Sequence, residues 1–320
     1  MTHKGSLEYW PHRRAKRQMP RVRSSPISTE KEMLGFVGFK AGMTHIMMID
    51  DTEGPAKGTE VARAVTVLEI PKVHIYGIRF YANGYSSYKH VIGEVFDTGL
   101  AAKVGIKATK NNDVSKFKSK ASEICNVTAL AFLDANTLNF GSKRVMRFEI
   151  PVGGKNSADK IDHVAGLLGK EVKINEFIKP GDYIDITSIS KGKGWAGAIK
   201  RFGVARLYRK STGKIRHVGV LGAWHPAKVL FSVPHSGHLG YNYRTEINKR
   251  VLKIGTAADV DSINVKGGFL NYGVVKNDYI LVDGSIPGTA KRLVRLRKSI
   301  RNTWPVKQPQ LNYVSTASKQ

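Results

Sequence analysis

Cysteine is almost absent from this chain of 320 residues, and long hydrophobic runs are absent altogether. The single cysteine, Cys125, excludes an internal disulfide and any zinc site built on paired cysteines. No apolar run approaches the roughly 18 residues that a membrane-spanning helix needs. The N-terminus is basic but has no apolar stretch behind it, so we expect no secretory signal and a cytoplasmic protein without a membrane partner.

Acidic residues are missing from three long segments, residues 9–29, 186–245 and 284–320. The chain has 52 Lys and Arg against 25 Asp and Glu, a formal net charge of +27, and the three segments supply +25 of that charge. A basic face made only for solubility would mix both signs of charge. The selective absence of carboxylates favours contact with phosphates, which would repel them. We therefore predict a polyanionic partner.

All four tryptophans also lie in the acid-free segments, at Trp10, Trp195, Trp224 and Trp304. Burial in a core is the ordinary interpretation of a tryptophan. Aromatic rings among Arg and Lys are, however, what stacking on unpaired bases requires. The combination favours structured RNA over duplex DNA, in which the bases are already stacked on each other.

The composition changes along the chain and predicts five parts. Residues 1–31 are basic, contain three prolines and lack apolar periodicity, which predicts an extended arm. Residues 32–79 and 180–300 are predicted to form one β domain, and residues 80–179, with mixed charge, an inserted α/β domain. Within the β domain, residues 191–245 are Gly-rich, basic and too long for an ordinary connection, which predicts a functional loop. Residues 301–320 form a basic C-terminal tail.

Local patterns predict individual elements within these parts. LGFVGF and HIMMID flank residues 40–43 and suggest a hairpin. Helices are predicted near residues 113–131 and 157–170, the second with Ser157 as its N-cap. Further strands are predicted from β-branched or alternating stretches at residues 61–70, 179–190, 250–255, 279–284 and 290–297.

Three features invite a catalytic or ligand-binding interpretation. GKGWAG, residues 192–197, matches the dinucleotide-binding pattern, but no amphipathic helix and no ribose-binding acid follow it. His235 and His238 lack the further ligands of a metal site, and Cys125, in a predicted helix, is interpreted as a buried thiol. We find no nucleophile elbow, P-loop or paired carboxylates. The sequence thus predicts no catalytic residue, no cofactor, no metal site and no small-molecule substrate.

Several segments together resemble the L3 family of large-subunit ribosomal proteins. GFKAGMT (38–44) is similar to its N-terminal signature, and KGKGWAGAIKRFG (191–203) to its central motif. GAWHPAKV (222–229) resembles the archaeal and eukaryotic form of a loop tip. HLGYNYRTEINKRVLKIG (238–255) and GFLNYGVVKNDYILVDGSIPG (268–288) are similar to the C-terminal half of the domain. The resemblance extends over nearly the whole chain.

The resemblance implies a six-stranded β-barrel of the translation-protein type with an inserted second domain. It also implies that the chain binds large-subunit ribosomal RNA early in assembly and extends a loop toward the peptidyl transferase centre, with residues 223–226 at the tip. Neighbouring ribosomal proteins are implied as further partners. The sequence departs from the family where a histidine is modified in eukaryotes, near Thr212, and where Pro-Gly-Pro is usual, at Thr289. The tip and the chain length favour an archaeal member.

Two rival functions remain open at this stage. A DNA-coating protein would explain the charge but not the loop that combines glycine with aromatics, and a nucleotide-using enzyme would depend on GKGWAG alone. The residues that we predict to contact RNA are basic, aromatic or histidine side chains of the acid-free segments. They are Trp10, Arg13, Arg14, Lys16, Arg17, Arg21, Arg23, Lys191, Lys193, Trp195, Lys200, Arg201, Arg206, Arg209, Lys210, Lys214, Arg216, His217, Trp224, His225, Arg244, Lys291, Arg292, Arg297 and Trp304.

Overall fold

The computed structural model describes residues 12–85, 88–106, 113–141, 145–211, 213–302 and 304–318. Over these residues the protein is mainly β, which confirms the predicted class. The strands are β1 (Gly35–Ile49), β2 (Glu60–Ile70), β3 (Val73–Asn83), β4 (Lys89–Phe96), β5 (Ile124–Leu133), β6 (Met146–Pro151), β7 (Glu171–Val172), β8 (Tyr183–Ile189), β9 (Gly192–Ala196), β10 (Gly237–Gly240), β11 (Tyr243–Gly255), β12 (Asp278–Asp283), β13 (Leu293–Lys298) and β14 (Leu311–Val314). The helices are α1 (Thr98–Lys103), α2 (Val114–Lys118), α3 (Ser157–Leu167) and α4 (Ala198–Phe202).

Six strands pair in the order β13, β8, β11, β12, β2, β1, and β1 pairs with β13 again, so that the circuit of hydrogen-bonded neighbours closes. The closure depends on the length of β1. Its residues Gly35–Phe39 pair with β13, and its residues Phe39–Ile49 pair with β2. The C-terminal strand β14 adds to the far end of β1. We call these strands the closed sheet.

The hairpin predicted at residues 40–43 is wrong, because β1 runs through this segment as one strand of 15 residues. Its register against β2 shifts between Lys40 and Gly42, so Ala41 forms a bulge. A Cβ atom at Gly42 would lie 2.6 Å from Cδ1 of Phe269, and the glycine therefore lets this ring pack onto the strand. Glycine and other residues common in turns are also common in β-bulges. Here they form a bulge, because the residues on both sides of Ala41 pair with β2.

The other strands that were predicted for the β domain are confirmed. β2, β11 and β12 match the predicted stretches to within one residue or extend beyond them, whereas β8 begins at Tyr183 and β13 at Leu293, inside the stretches predicted for them. Their inward side chains form the core, as at Val65 and Val67 of β2 and at Ile280 and Val282 of β12, all of which are fully buried. Burial in β2 and β12 is continuous rather than alternating, so it is their content of β-branched residues that made these strands visible in the sequence.

A second sheet contains strands β4, β3, β5 and β6 in this order, and β7 pairs with the beginning of β3. Helix α3 buries Ile161 and Val164, and it packs against β5. We call this unit the second sheet. Strand β3 begins at Val73, so the unit starts before residue 80, where the sequence suggested a boundary.

Two local predictions in the second sheet are wrong. The helix predicted near residues 113–131 is limited to α2, and β5 follows it, because its apolar residues pair with β3 and β6 and are buried on both faces. Cys125 therefore lies on a strand and is half-buried. The N-cap of α3 is Asn156, while the hydroxyl of Ser157 donates to the carbonyl oxygen of Ile124 at 2.6 Å.

The closed sheet and the second sheet share one hydrophobic core, which includes Phe36 and Leu68 of the first and Ile75 and Phe80 of the second. Arg295 of β13 is buried at their junction, where its guanidinium donates to the carbonyl oxygen of Glu149 and lies 5.5 Å from the ring of Phe148. Burial lowers the pKa of Arg295 to about 10.

Candidate nucleic-acid interface

Residues 203–236 leave the body of the protein between β9 and β10 and contain no helix or strand in their described part. We call them the extension. β9 and β10 pair as a two-stranded ribbon at its base. The backbone of Gly240 has φ +74°, and a Cβ atom there would lie 2.1 Å from the carbonyl oxygen of Lys191. Glycine is therefore required where the ribbon closes.

Arg201 ties this base together. Its guanidinium donates to three backbone carbonyl oxygens, those of His238, His235 and His12, each at 3.0 Å. It also lies 5.0 Å from the ring of Phe202. Burial lowers the pKa of Arg201. Arg201 thus joins the arm to the returning chain of the extension, and its donors are directed into the protein rather than toward a partner.

The extension exposes large apolar side chains that a globular domain would bury. Trp224 is 87% exposed, and Val220 and Phe231 are each 77% exposed. Further exposed members are Leu207, Tyr208, Ile215, Leu221, Val229 and Leu230. Such a concentration of exposed apolar surface marks an interaction site. The stretch from Gly222 to Phe231 is exposed at every residue, so the extension cannot bury these side chains by itself.

The cations of the extension accompany these apolar side chains. Arg206, Arg209, Lys210, Lys214 and Arg216 are all exposed, as is His217. Among the residues that the structure describes, none of these cations forms an ion pair with a carboxylate, whereas Arg250 of β11 pairs with Asp51. A surface with uncompensated cations and exposed aromatic rings is complementary to single-stranded or looped RNA.

The arm, from residue 12 onward, lies against the body without regular secondary structure. Its backbone is held where the amide of Ala15 donates to the carbonyl oxygen of Tyr241 at 2.8 Å, and Pro20 is buried. The six predicted basic side chains are all exposed. They are Arg13, Arg14, Lys16, Arg17, Arg21 and Arg23. Because Arg201 binds the carbonyl oxygen of His12, the arm and the extension present their cations from adjoining parts of the molecule.

Of the predicted RNA-binding residues near the C-terminus, some make internal contacts and others are exposed. Arg297 pairs with the buried Asp185 at 2.8 Å and donates to Ser24. Arg292 donates to the carbonyl oxygens of Ile189 and Ser190 at 3.0 and 2.8 Å. Both guanidinium groups are thus committed to internal contacts, whereas Lys291 is exposed.

The remaining predicted residues lie around the ribbon. Lys191, Lys193 and Lys200 are exposed, and Arg244 is half-buried and donates to the carbonyl oxygen of Tyr243. His225 is exposed beside Trp224. Four of these positions lie in or beside the ribbon at the base of the extension, and His225 lies in its fully exposed stretch.

Trp195, Trp224 and Trp304 are surface residues. The interpretation of these three tryptophans as core residues is therefore wrong. Trp195 is 72% exposed and contacts His238 edge to face, at 6.0 Å between ring centroids. Trp304 is 56% exposed and lies 5.4 Å from the ring of Tyr183. Trp10 is outside the described residues.

The sequence did not predict one basic residue, Lys40 of β1, which lies near Lys191 at the base of the extension. The ammonium group of Lys40 is largely buried and donates to the carbonyl oxygens of Ile286 and Gly288, at 2.7 and 3.4 Å. Burial, together with the nearby charge of Lys191, lowers the pKa of Lys40 to about 8. Lys40 lies within the GFKAGMT motif, and no sequence signal shows that a lysine on a strand faces inward.

The geometry of the two ambiguous motifs differs from that of ligand sites. The glycines of GKGWAG lie within β9 and just after it, and α4 has only five residues before Gly203 ends it with φ +69°. A dinucleotide fold instead places its glycines at a turn that opens a long helix. The carbonyl oxygens of His235 and His238 bind Arg201, and the described residues contain no group of three metal-ligating side chains.

No helix in the described ranges has the length and apolar character needed to cross a membrane.

Comparison with known proteins identifies relatives over the whole chain. The family model of ribosomal protein L3 matches residues 1–320. The large ribosomal subunit protein uL3 of Methanothermobacter thermautotrophicus is 39% identical, over 99% of this chain and 97% of its own. Those of Methanocorpusculum labreanum and Methanoregula boonei are 42% and 41% identical, with the same coverage.

Proposed function

Because this chain belongs to the ribosomal protein L3 family, we propose that it binds ribosomal RNA through the arm and the extension, as a structural constituent of the large ribosomal subunit. It is a ribosomal component and not an enzyme. The proposed partners are large-subunit RNA and neighbouring ribosomal proteins, in the cytoplasm of an archaeon.

The extension is the observation that carries this proposal. Its exposed apolar side chains would be unfavourable in water, and its cations have no ion pair among the described residues. Ribosomal RNA satisfies both, since its phosphates neutralise the cations and its unpaired bases cover the rings. A purely protein partner would have to supply many carboxylates as well as apolar surface.

The finer features follow from the family. We assign the closed circuit of six strands to the translation-protein type of barrel, with the second sheet as the inserted domain. Residues 223–226, at an exposed part of the extension, are the proposed tip near the peptidyl transferase centre. Binding early in assembly is consistent with an arm and an extension that later components would cover.

A salt series with two nucleic acids tests the proposal. Binding of the full chain to a large-subunit RNA fragment should weaken steeply with ionic strength, by a slope of roughly 0.7–0.9 per phosphate contact on logarithmic axes. Duplex DNA of matched length should bind more weakly at every salt concentration, because its stacked bases offer nothing to the exposed rings. Equal affinity for the two nucleic acids would favour a general DNA-coating protein and overturn the RNA proposal.

A further inference from the structure

A cleft of about 370 Å³ lies between the arm and the second sheet. Three basic side chains line it, Arg23 from the arm, Lys89 from the first residue of β4 and Lys160 from α3, and its lining contains no Asp or Glu. Two of these residues, Lys89 and Lys160, come from the part of the sequence in which acidic and basic residues balance. Only the fold brings them to Arg23.

These three charges are not compensated within the described chain. None of the three side chains forms an ion pair there with a carboxylate, whereas the nearby Lys31 pairs with Asp159 at 2.9 Å. Like charges around one partly enclosed space repel each other, and the low-dielectric walls strengthen that repulsion. An anion in the cleft would remove this cost.

The cleft is part of the folded protein, because the arm is hydrogen-bonded to its opposite wall. The amides of Gly153 and Gly154 donate to the carbonyl oxygens of Glu32 and Ser28, at 2.8 and 3.0 Å. A Cβ atom at Gly153 would lie 2.7 Å from the carbonyl oxygen of Glu30. Glycine therefore permits the close approach that holds the arm in place.

We propose that this cleft binds the phosphodiester backbone of a ribosomal RNA segment, as a contact additional to those of the extension. The inference rests on the proposed function, since the RNA supplies the anion. Lys and Arg are the usual phosphate ligands of RNA-binding proteins, and the volume lies at the lower end of the ~300–1,000 Å³ typical of ligand cavities. Tyr88, which directly precedes Lys89 and is 76% exposed, offers a ring to an unpaired base beside the cleft.

Cys125 provides a built-in probe, because it is the only cysteine of the chain, lines the cleft and is half-buried. The rate at which iodoacetamide alkylates Cys125 would be measured in the isolated protein, with and without a purified large-subunit RNA fragment. We expect the RNA to slow alkylation about tenfold or more. With no other protein present, such protection comes from RNA.

A double variant and a matched control sharpen the test. Lys89→Ala with Lys160→Ala should abolish the protection of Cys125 and reduce the salt slope of RNA binding by about 1.4–1.8, the share of two phosphate contacts. Lys170→Ala with Lys173→Ala removes the same charge from exposed positions that do not line the cleft. This control should retain the protection and the slope. Thermal melts would verify that both variants fold. The protection of Cys125 in the unaltered protein tests the cleft even if a variant does not fold.

The outcomes separate this site from the proposed function. If RNA binds with a steep salt dependence but Cys125 is alkylated at its free rate, the cleft is not an RNA site and the proposed function stands. An equal loss of slope in the control would also overturn the cleft, because the effect would then be one of net charge. If no salt-dependent complex with RNA forms at all, the proposed function fails, and the cleft site fails with it.

Discussion

The closed sheet and the extension place apolar side chains in opposite environments. In the closed sheet, Phe36, Phe39 and Tyr279 are at most 1% exposed, whereas Trp224 and Phe231 of the extension are 87% and 77% exposed. Burial of one large apolar side chain stabilises a fold by about 1.5–3 kcal/mol. The extension forgoes this stabilisation in the free protein. Its apolar surface is therefore available to a partner.

Charged groups differ in the same way between the two regions. Within the closed sheet the buried carboxylate of Glu69 accepts hydrogen bonds from the backbone amides of Lys276 and Asn277 and from the Asn277 side chain, at 2.7–3.0 Å. Its other oxygen binds the hydroxyl of Tyr272. In the extension the cations are exposed and have no ion pair among the described residues. A group that is satisfied internally stabilises the fold, and one that is left open is available for binding.

Removal of the extension should give the largest difference between the two regions. Replacing residues 206–228 by a short glycine linker removes six basic residues but leaves Arg201 and the ribbon intact. The salt slope of RNA binding should fall by about 4–5, and the affinity at 0.1 M salt at least about a thousandfold. The melting temperature of the free protein should change little, because these residues have few internal contacts. A molten product would show that the extension completes the core.

The same substitution of phenylalanine by alanine compares how much the closed sheet and the extension contribute to the free energy of unfolding. Phe39→Ala, in the closed sheet, should lower the free energy of unfolding by about 3–5 kcal/mol, because the side chain is fully buried and packs on Phe140. Phe231→Ala, in the extension, should lower it by less than about 1 kcal/mol, because the side chain is 77% exposed. Urea denaturation of both variants measures the contrast. Similar losses in the two variants would contradict the assignment of the extension as a binding element.

Trp224 separates stability from function within the extension. Trp224→Ala should leave the melting curve of the free protein unchanged, since the side chain is 87% exposed. In the subunit it should cost about 1–3 kcal/mol of stacking or packing, which would emerge as altered translation by subunits that still assemble. A destabilised free protein would make Trp224 a core residue after all, and normal translation would show that it has no role at the tip.

Lys40, at the junction of the two regions, should give the smallest effect. Its pKa is about 8 in the folded protein, below the usual 10.5, so between these pH values the unfolded chain binds more protons than the folded one. The free energy of unfolding should therefore rise with pH across this range, by up to about 1 kcal/mol per pH unit. Lys40→Met should lose this contribution, as seen from thermal melts of both proteins between pH 7.5 and 10. Parallel pH profiles would show that Lys40 titrates normally.

Strands rich in β-branched residues were predictable, and a strand rich in alanine and leucine was less so. β2 and β12 followed directly from their patterns. β5 is buried on both faces as β2 and β12 are; it was interpreted as a helix because its run contains Ala129, Leu130 and Ala131, which favour helices. The bulge at Ala41 was interpreted as a turn, since both use the same residue types.

The candidate interface was predictable as a set of segments but not residue by residue. The absence of acids identified the arm and the extension, whose cations are exposed. It did not distinguish these cations from Arg201 and Arg297, whose guanidinium groups are directed to backbone oxygens and to Asp185. Lys89 and Lys160 had no signal at all, because their neighbourhood in sequence is balanced in charge.

The sequence by itself determined the mainly β fold and the family and predicted a polyanionic partner, because strand-forming runs, long motifs and charge segregation are properties of local order along the chain. The tertiary structure alone decided which cations of the described residues are exposed and which are held by internal contacts. That depends on which carbonyl oxygens and carboxylates the fold brings within hydrogen-bonding distance, as it brings His12 to Arg201. It also decided that Arg23, Lys89 and Lys160 share one cleft. Electrostatic interactions act across space, and residues far apart in sequence become neighbours only when the sheets have formed.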